Sequence, residues 1–176
     1  MGDLVFDTSA VSGFARAGRL DQLEALTHGD QRYITAAVLD EIRQGVPLHA
    51  SLGTVLDAAW LQEVRADGLD ELRAFAEYVT ILGTRGRDFG EASTLAWAET
   101  HHATAILDDA IGRQAAALRG VSAHGTLTLI AGAVSTGVIT GDDAAGLVNA
   151  LRAVGARLPC DGAGFIRWAQ GKGLLN

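Results

Sequence analysis

Short apolar runs alternate along the chain with stretches of helical period, and several of the runs stop at an acidic residue. Leu4, Val5 and Phe6 form the first, ending at Asp7, and predict a strand over 4–6 with Ser9 as N-cap of a helix over 10–17 closed by Gly18. A second short helix is expected over 20–26, then a strand over 32–34, with Thr35 capping a helix over 36–44 that stops at Gly45. The pattern continues with a helix over 50–59, a strand over 61–64 and a helix over 69–81 whose apolar face carries Leu69, Leu72, Phe75, Ala76 and Val79. A loop over 83–90 leads to a helix over 91–100, a buried strand over 103–107, a helix over 110–119 and a short strand over 121–123. The turn Gly125-Thr126 opens a helix over 127–136, and helices over 142–154 and 161–170 close the chain, with Phe165, Ile166 and Trp168 packing on the body.

Strands alternating with helices argue an α/β fold whose central parallel sheet is covered on both faces and joined by right-handed crossovers. Ligands of such sheets gather at the carboxyl ends of the strands. Asp7 and the pair Asp108-Asp109 stand at strand ends, and Glu91 stands at a helix start. On the helix over 36–44, Val38, Glu41 and Ile42 share a face, so Glu41 lies at the edge of the buried stripe and Asp40 points elsewhere.

Length and composition narrow the setting. A chain of 176 residues, 48% hydrophobic, can bury its core as one domain, expected to span 1–176. The lone cysteine, Cys160, excludes an internal disulfide and a cysteine-based zinc site, and points to the cytoplasm. MGDLVF has no basic region before an apolar stretch, and the uncharged stretch 121–140 is broken by three glycines and six Ser/Thr, so no membrane role is expected. The net charge of −7 argues against simple nucleic-acid binding, although five of the acids belong to the candidate cluster.

That cluster is the candidate chemistry. Asp7, Glu41, Glu91, Asp108 and Asp109 supply carboxylates from four segments, the donor type that Mg²⁺ or Mn²⁺ requires, and a divalent ion would relieve their mutual repulsion. Each acid also has a structural role open to it: Asp7 and the Asp108-Asp109 pair can cap the helices behind them, Glu91 suits a helix dipole, and Glu41 can be a solvated helix acid. The five histidines show no catalytic spacing and are expected at the surface or in structural roles. Trp60, Trp97 and Trp168 are expected in the core, and Arg85 and Arg87 as solvated loop charges that can contact phosphate.

The strand ending in Asp7-Thr8-Ser9, the pattern V-x-x-E-I-x-x-G around Glu41, the Gly90-Glu91-Ala92 helix start, the strand ending in Asp108-Asp109 with Arg113 shortly after, and the Gly125-Thr126 turn together resemble a PIN domain. The match covers about 4–137, with looser helices over 138–176, and is most similar to the VapC-like PIN proteins. The resemblance implies a three-layer α/β/α sandwich with a central parallel sheet, and Mg²⁺- or Mn²⁺-dependent cleavage of single-stranded or structured RNA. By position, Asp7, Glu41 and Glu91 match the family's first three acids, Glu91 standing where many members have Asp. The last acid is ambiguous: the strand-end pattern favours Asp109, with Asp108 as its support or as the true ligand. Ser9 resembles the small polar residue supporting the first acid, and Arg113 is a phosphate contact or a helix-surface arginine. The resemblance further implies a homodimer and, in the toxin form, an antitoxin partner.

Three other readings stand beside the nuclease. A binding module could keep the fold without turnover, for which the acidic net charge argues. A receiver domain or haloacid-dehalogenase-like phosphatase would phosphorylate a strand-end Asp. The phosphatase needs a second Asp where Ser9 stands, and the receiver needs its acidic pair early rather than late. A toxin held by an antitoxin differs from the nuclease only in its partner.

Overall fold

A computed structural model describes residues 2–83 and 89–176. Arg85 and Arg87 lie outside the described residues. Among the described residues five strands, β1 (Asp3–Phe6), β2 (Gln31–Thr35), β3 (Gln62–Val64), β4 (Thr104–Ile106) and β5 (Ala123–His124), form one parallel sheet in the order β3-β2-β1-β4-β5. The order reverses between β1 and β4, where Phe6 pairs with Ile106, so the crevice beyond their carboxyl ends is the topological switch point of the sheet.

Alternation along the strands feeds two cores. Leu4, Phe6, Ile34 and Ile106 face one side with helices α1 (Thr8–Arg16), α2 (Leu20–Leu26), α3 (Ala36–Gly45), α4 (Gly53–Leu56), α8 (Thr126–Ser135), α9 (Gly141–Ala153) and α10 (Gly162–Gly171). Val5, Ala105 and Leu107 face the other, against α5 (Leu69–Leu82), α6 (Phe89–His101) and α7 (Ala110–Leu118). The result is the expected α/β/α sandwich with a parallel central sheet. Because period-2 side chains point to opposite faces, both faces of a central strand are apolar and the strand reads as a continuous run.

Four expectations change. α1 begins at Thr8, because the Asp7 side chain and not that of Ser9 caps it, accepting from the Ser9 amide. The helix expected over 50–59 is a 3-10 turn at Ala50–Leu52 running into α4, which ends at Leu56. α6 starts two residues earlier than expected, at Phe89, and buries the whole stretch 92–98. On α5 the buried residues are Ala74 and Tyr78, while Leu69 and Leu72 are exposed. The stripe of larger apolar residues misled because Tyr78 brings the face of α5 that packs on α6 and α7, placing its ring in the core and its hydroxyl on Glu99 at 2.8 Å.

Candidate active site

The switch point is furnished by residues that end or begin secondary structure. Asp7 follows β1 directly, and its backbone N–H donates to the Ile106 carbonyl at 2.9 Å, extending the β1–β4 pairing by one step. Its Oδ2 accepts from the Ser9 amide at 3.0 Å and from the Ser9 hydroxyl at 2.6 Å. The same hydroxyl accepts from the Asp108 backbone N–H at 3.2 Å, so Ser9 ties Asp7 to the end of β4. Ser9 thus bonds Asp7 through both its amide and its hydroxyl.

Glu41 arrives from α3. The Thr8 hydroxyl donates to its Oε2, and the Gly90 amide donates to its Oε1 at 2.8 Å. The start of α6 is in turn fixed by a buried pair: Thr35 meets Ser93 at 2.6 Å, and Ser93 donates to the Gly90 carbonyl at 2.8 Å. Glu91, the next residue of α6, lays its carboxylate against Gly112 of α7, in space that a Cβ at Gly112 would occupy. Arg43, a residue two places past Glu41, pairs instead with Asp40 at 2.6 Å.

The Asp108-Asp109 pair divides its work. Asp108 Oδ1 accepts from the Thr126 amide at 2.7 Å, and Oδ2 accepts from the Thr126 hydroxyl at 2.7 Å. Asp109 caps α7, its Oδ1 accepting from Ile111 at 2.7 Å and Gly112 at 3.2 Å. Arg113 donates to the Leu107 carbonyl at 3.1 Å, half-buried behind the strand end. The capping roles open to Asp7 and Asp109 from sequence are therefore both filled.

Asp7 is 5% exposed, and its carboxyl is held above the usual carboxylate range, first by burial and also by the charge of Glu41, against the opposing pull of Ser9. Among the described residues, Asp7, Glu41, Asp108 and Asp109 make no ion pair. All of these donors are carboxylate oxygens, which fit a hard divalent cation and suit no soft one. Among the described residues no three carboxylate, imidazole or thiol groups stand close enough together to hold a metal ion. Asp108 and Asp109 are engaged instead by Thr126 and by the amides of α7.

Sequence reasoning missed the residues that aim these acids. Thr8, Ser93 and Gly112 carry no chemistry of their own; Thr126 was visible only as the second residue of the Gly125-Thr126 turn. The histidines, His28, His49, His101, His102 and His124, are all exposed and stand outside this set. Trp97 is core as expected, whereas Trp60 and Trp168 are half-buried.

No curated protein matches the chain at a significant level. A family model described as a PIN domain matches residues 3–163, reaching well past the turn at Gly125-Thr126 into the C-terminal helices. With that match spanning most of the chain and all five described strands of the sheet, the chain belongs to the PIN domain family.

Proposed function

We propose that this protein is a metal-dependent endoribonuclease that hydrolyses phosphodiester bonds with Asp7, Glu41, Glu91 and the Asp108-Asp109 pair, using Mg²⁺ or Mn²⁺. The PIN domain is a nuclease fold. The observation that carries the reading is Asp7: a buried carboxylate, facing Glu41 and in no ion pair among the described residues, is costly to keep charged without a cation.

A bound Mg²⁺ or Mn²⁺ would polarise the scissile phosphate and lower the pKa of a water for in-line attack. The chain's part is orientation. Ser9 sets the rotamer of Asp7, Thr8 and Gly90 set both oxygens of Glu41, and Thr126 sets both oxygens of Asp108. A carboxylate oxygen carries two lone pairs, so one hydrogen bond leaves it able to ligate. Asp7 and Asp109 hold the cation in this reading, with Asp108 beside them, and Glu41 and Glu91 hold a second ion or orient the attacking water.

Incubation of single-stranded RNA and DNA with Mn²⁺, Mg²⁺ or EDTA, for the wild type and Asp7→Asn, tests it. Cleavage of RNA that needs both metal and Asp7 is expected. A second reading, a binding module without turnover, is favoured by the capping bonds that engage Asp7 and Asp109. Measurable Mn²⁺ binding with no cleavage of any substrate would decide for it.

The nuclease reading extends to a cytoplasmic toxin restrained by an antitoxin and acting as a homodimer, as VapC-like relatives would imply. Growth arrest on expression, relieved by the neighbouring reading frame, tests the first, and sedimentation of the pure chain tests the second. Among the described residues no helix is long and apolar enough to cross a membrane.

A further inference from the structure

Two cavities flank Asp108. One, of about 440 Å³, lies between β5, the start of α8 and the end of α10, and its lining includes Asp108, Arg113, Arg157, Trp168, Lys172 and Leu174. The other, of about 270 Å³, lies against α1 and includes Ser9, Arg16, Asp108, Asp109 and Arg157. Asp108 and Arg157 line both, so the cavities adjoin at the strand end where Ser9 joins Asp108 to Asp7.

Eight arginines and lysines make no ion pair among the described residues, and half of them line these cavities, while Arg19, Arg32, Arg152 and Arg167 lie outside both. In a chain of net charge −7, Arg43, Arg65, Arg73 and Arg119 are held by acids in ion pairs. Arg16, Arg113, Arg157 and Lys172 make no ion pair among the described residues, and all four line the two cavities. Arg113 is further anchored to the Leu107 carbonyl at 3.1 Å, which fixes its guanidinium beside Asp108. Trp168 presents a half-buried ring to the larger cavity, backed by Phe165 with ring centroids 6.3 Å apart.

We infer that the two cavities form one binding track for a single-stranded polynucleotide, its phosphates met by Arg16, Arg157, Arg113 and Lys172 and one base received against Trp168. Separated cations with an aromatic platform between apolar walls are what a flexible phosphodiester chain needs, since phosphates bind arginine forks and any base can stack. The larger cavity falls within the range of about 300–1,000 Å³ usual for small-ligand sites, enough to enclose a base rather than merely touch it. A duplex keeps its bases paired and offers nothing for Trp168 to stack on. The inference takes from the nuclease reading the point that the strand passes the acids at Asp108; binding itself does not depend on turnover.

The test is fluorescence anisotropy of a labelled single-stranded RNA oligonucleotide with the full chain in EDTA, across a salt series. Arg157→Gln and Lys172→Gln are each expected to weaken binding several-fold and to reduce the salt slope by about 0.7. Trp168→Leu should weaken it about five-fold or more with the slope unchanged. Arg167→Gln, an exposed arginine of α10 outside both cavities, removes the same charge and should leave the affinity within two-fold. Circular dichroism establishes that each variant is folded. Equal weakening by Arg167→Gln, equal affinity for a duplex of the same length, or no binding at low salt would each overturn the track. Binding that follows this pattern while the metal assay shows no cleavage would keep the track and remove the nuclease reading.

Discussion

Gly90 donates its backbone N–H to Glu41 at 2.8 Å, and the Glu41 carboxylate fills the place where a side chain at Gly90 would begin. A Cβ at Gly90 would lie 2.5 Å from Oε2 and 2.8 Å from the carboxyl carbon. Two helices from opposite sides of the sheet, α3 and α6, meet through this contact, so the second residue of α6 gauges where the acid of α3 stands.

Gly90→Ala therefore separates stability from function. The atoms a methyl would strike belong to the end of a flexible side chain, and alanine is the better helix former, so the two effects on folding oppose and should leave the melting free energy within about 1 kcal/mol. Glu41, however, must move by a fraction of an ångström or more, and misplacement on the order of 1 Å costs about 100-fold in rate. A thermal melt and metal-dependent RNA cleavage, measured on the same preparation, check this; a variant that cleaves at the wild-type rate would show that the position of Glu41 does not matter.

Asp7→Asn should raise the stability of the metal-free protein at neutral pH while abolishing cleavage. Burial raises the Asp7 carboxyl above its ordinary 3.8, so the folded state binds the proton more tightly than the unfolded state does. The stability Asp7 contributes is then fully present below pH 3.8 and is lost as pH rises through the raised folded value. Above that window the charged carboxylate is a burden, which Asn removes while still accepting from the Ser9 amide as a cap. Denaturant melts at neutral pH in EDTA should show the variant to be the more stable of the two. Added Mn²⁺ should raise the wild-type midpoint and leave the variant's nearly unchanged.

Glu99 titrates in the opposite sense. Its two oxygens receive Arg119 at 2.6 and 2.7 Å, and the Tyr78 hydroxyl adds a third bond at 2.8 Å. Arg119 chiefly, with Tyr78, holds the carboxyl below its ordinary 4.5. A lowered folded value gives stability that is present above pH 4.5 and lost as pH falls through the folded value. Glu99→Gln should cost about 1 kcal/mol at pH 7, discounted for solvent screening of a side chain 26% exposed. The difference from wild type should shrink in melts at acid pH; a constant difference down to pH 3 would assign the cost to packing rather than charge.

How much of this was legible in the chain depends on what each residue's neighbours decide. β1, β2 and β4 were plain, because runs such as Leu4, Val5 and Phe6 serve both cores at once and leave an acid where the sheet ends. Asp7 and Glu91 were legible as acids at element boundaries, Glu41 as an acid at the edge of the buried stripe of a helix, and Ser9 as a neighbour able to bond Asp7. What was not legible is set by contacts far apart in sequence. The buried face of α5 was decided by Tyr78 reaching Glu99, 21 residues on, which no local periodicity encodes. Gly90 and Gly112 looked like a loop residue and an ordinary helix residue; only the approach of Glu41 and Glu91 shows why a side chain is missing there. The cap at Asp7 displaced that expected at Ser9 because both residues are good caps and the turn geometry chooses between them.

The choice between Asp108 and Asp109 is open to a clean substitution test, because the two carboxylates are held by different means. Asp109 offers its Oδ1 to two amides of α7, a bond that Asn reproduces, so Asp109→Asn should leave stability within about 0.5 kcal/mol. Asp108 receives the amide and hydroxyl of Thr126 on separate oxygens, and Asn would present an amide to one of them, so Asp108→Asn should cost about 1 kcal/mol by the loss of one charge-assisted bond. Mn²⁺ affinity then decides what stability cannot. If Asp109 is the direct ligand, Asp109→Asn loses Mn²⁺ affinity by tenfold or more with its fold untouched, while Asp108→Asn loses less. The reverse order would mean that Asp108 swings from Thr126 to the cation, and that Ser9, by holding the Asp108 amide and the Asp7 carboxylate together, brackets the two principal ligands. Calorimetric titration of Mn²⁺ into both variants reads the difference directly, and equal affinity in both with wild type would leave neither aspartate as a ligand.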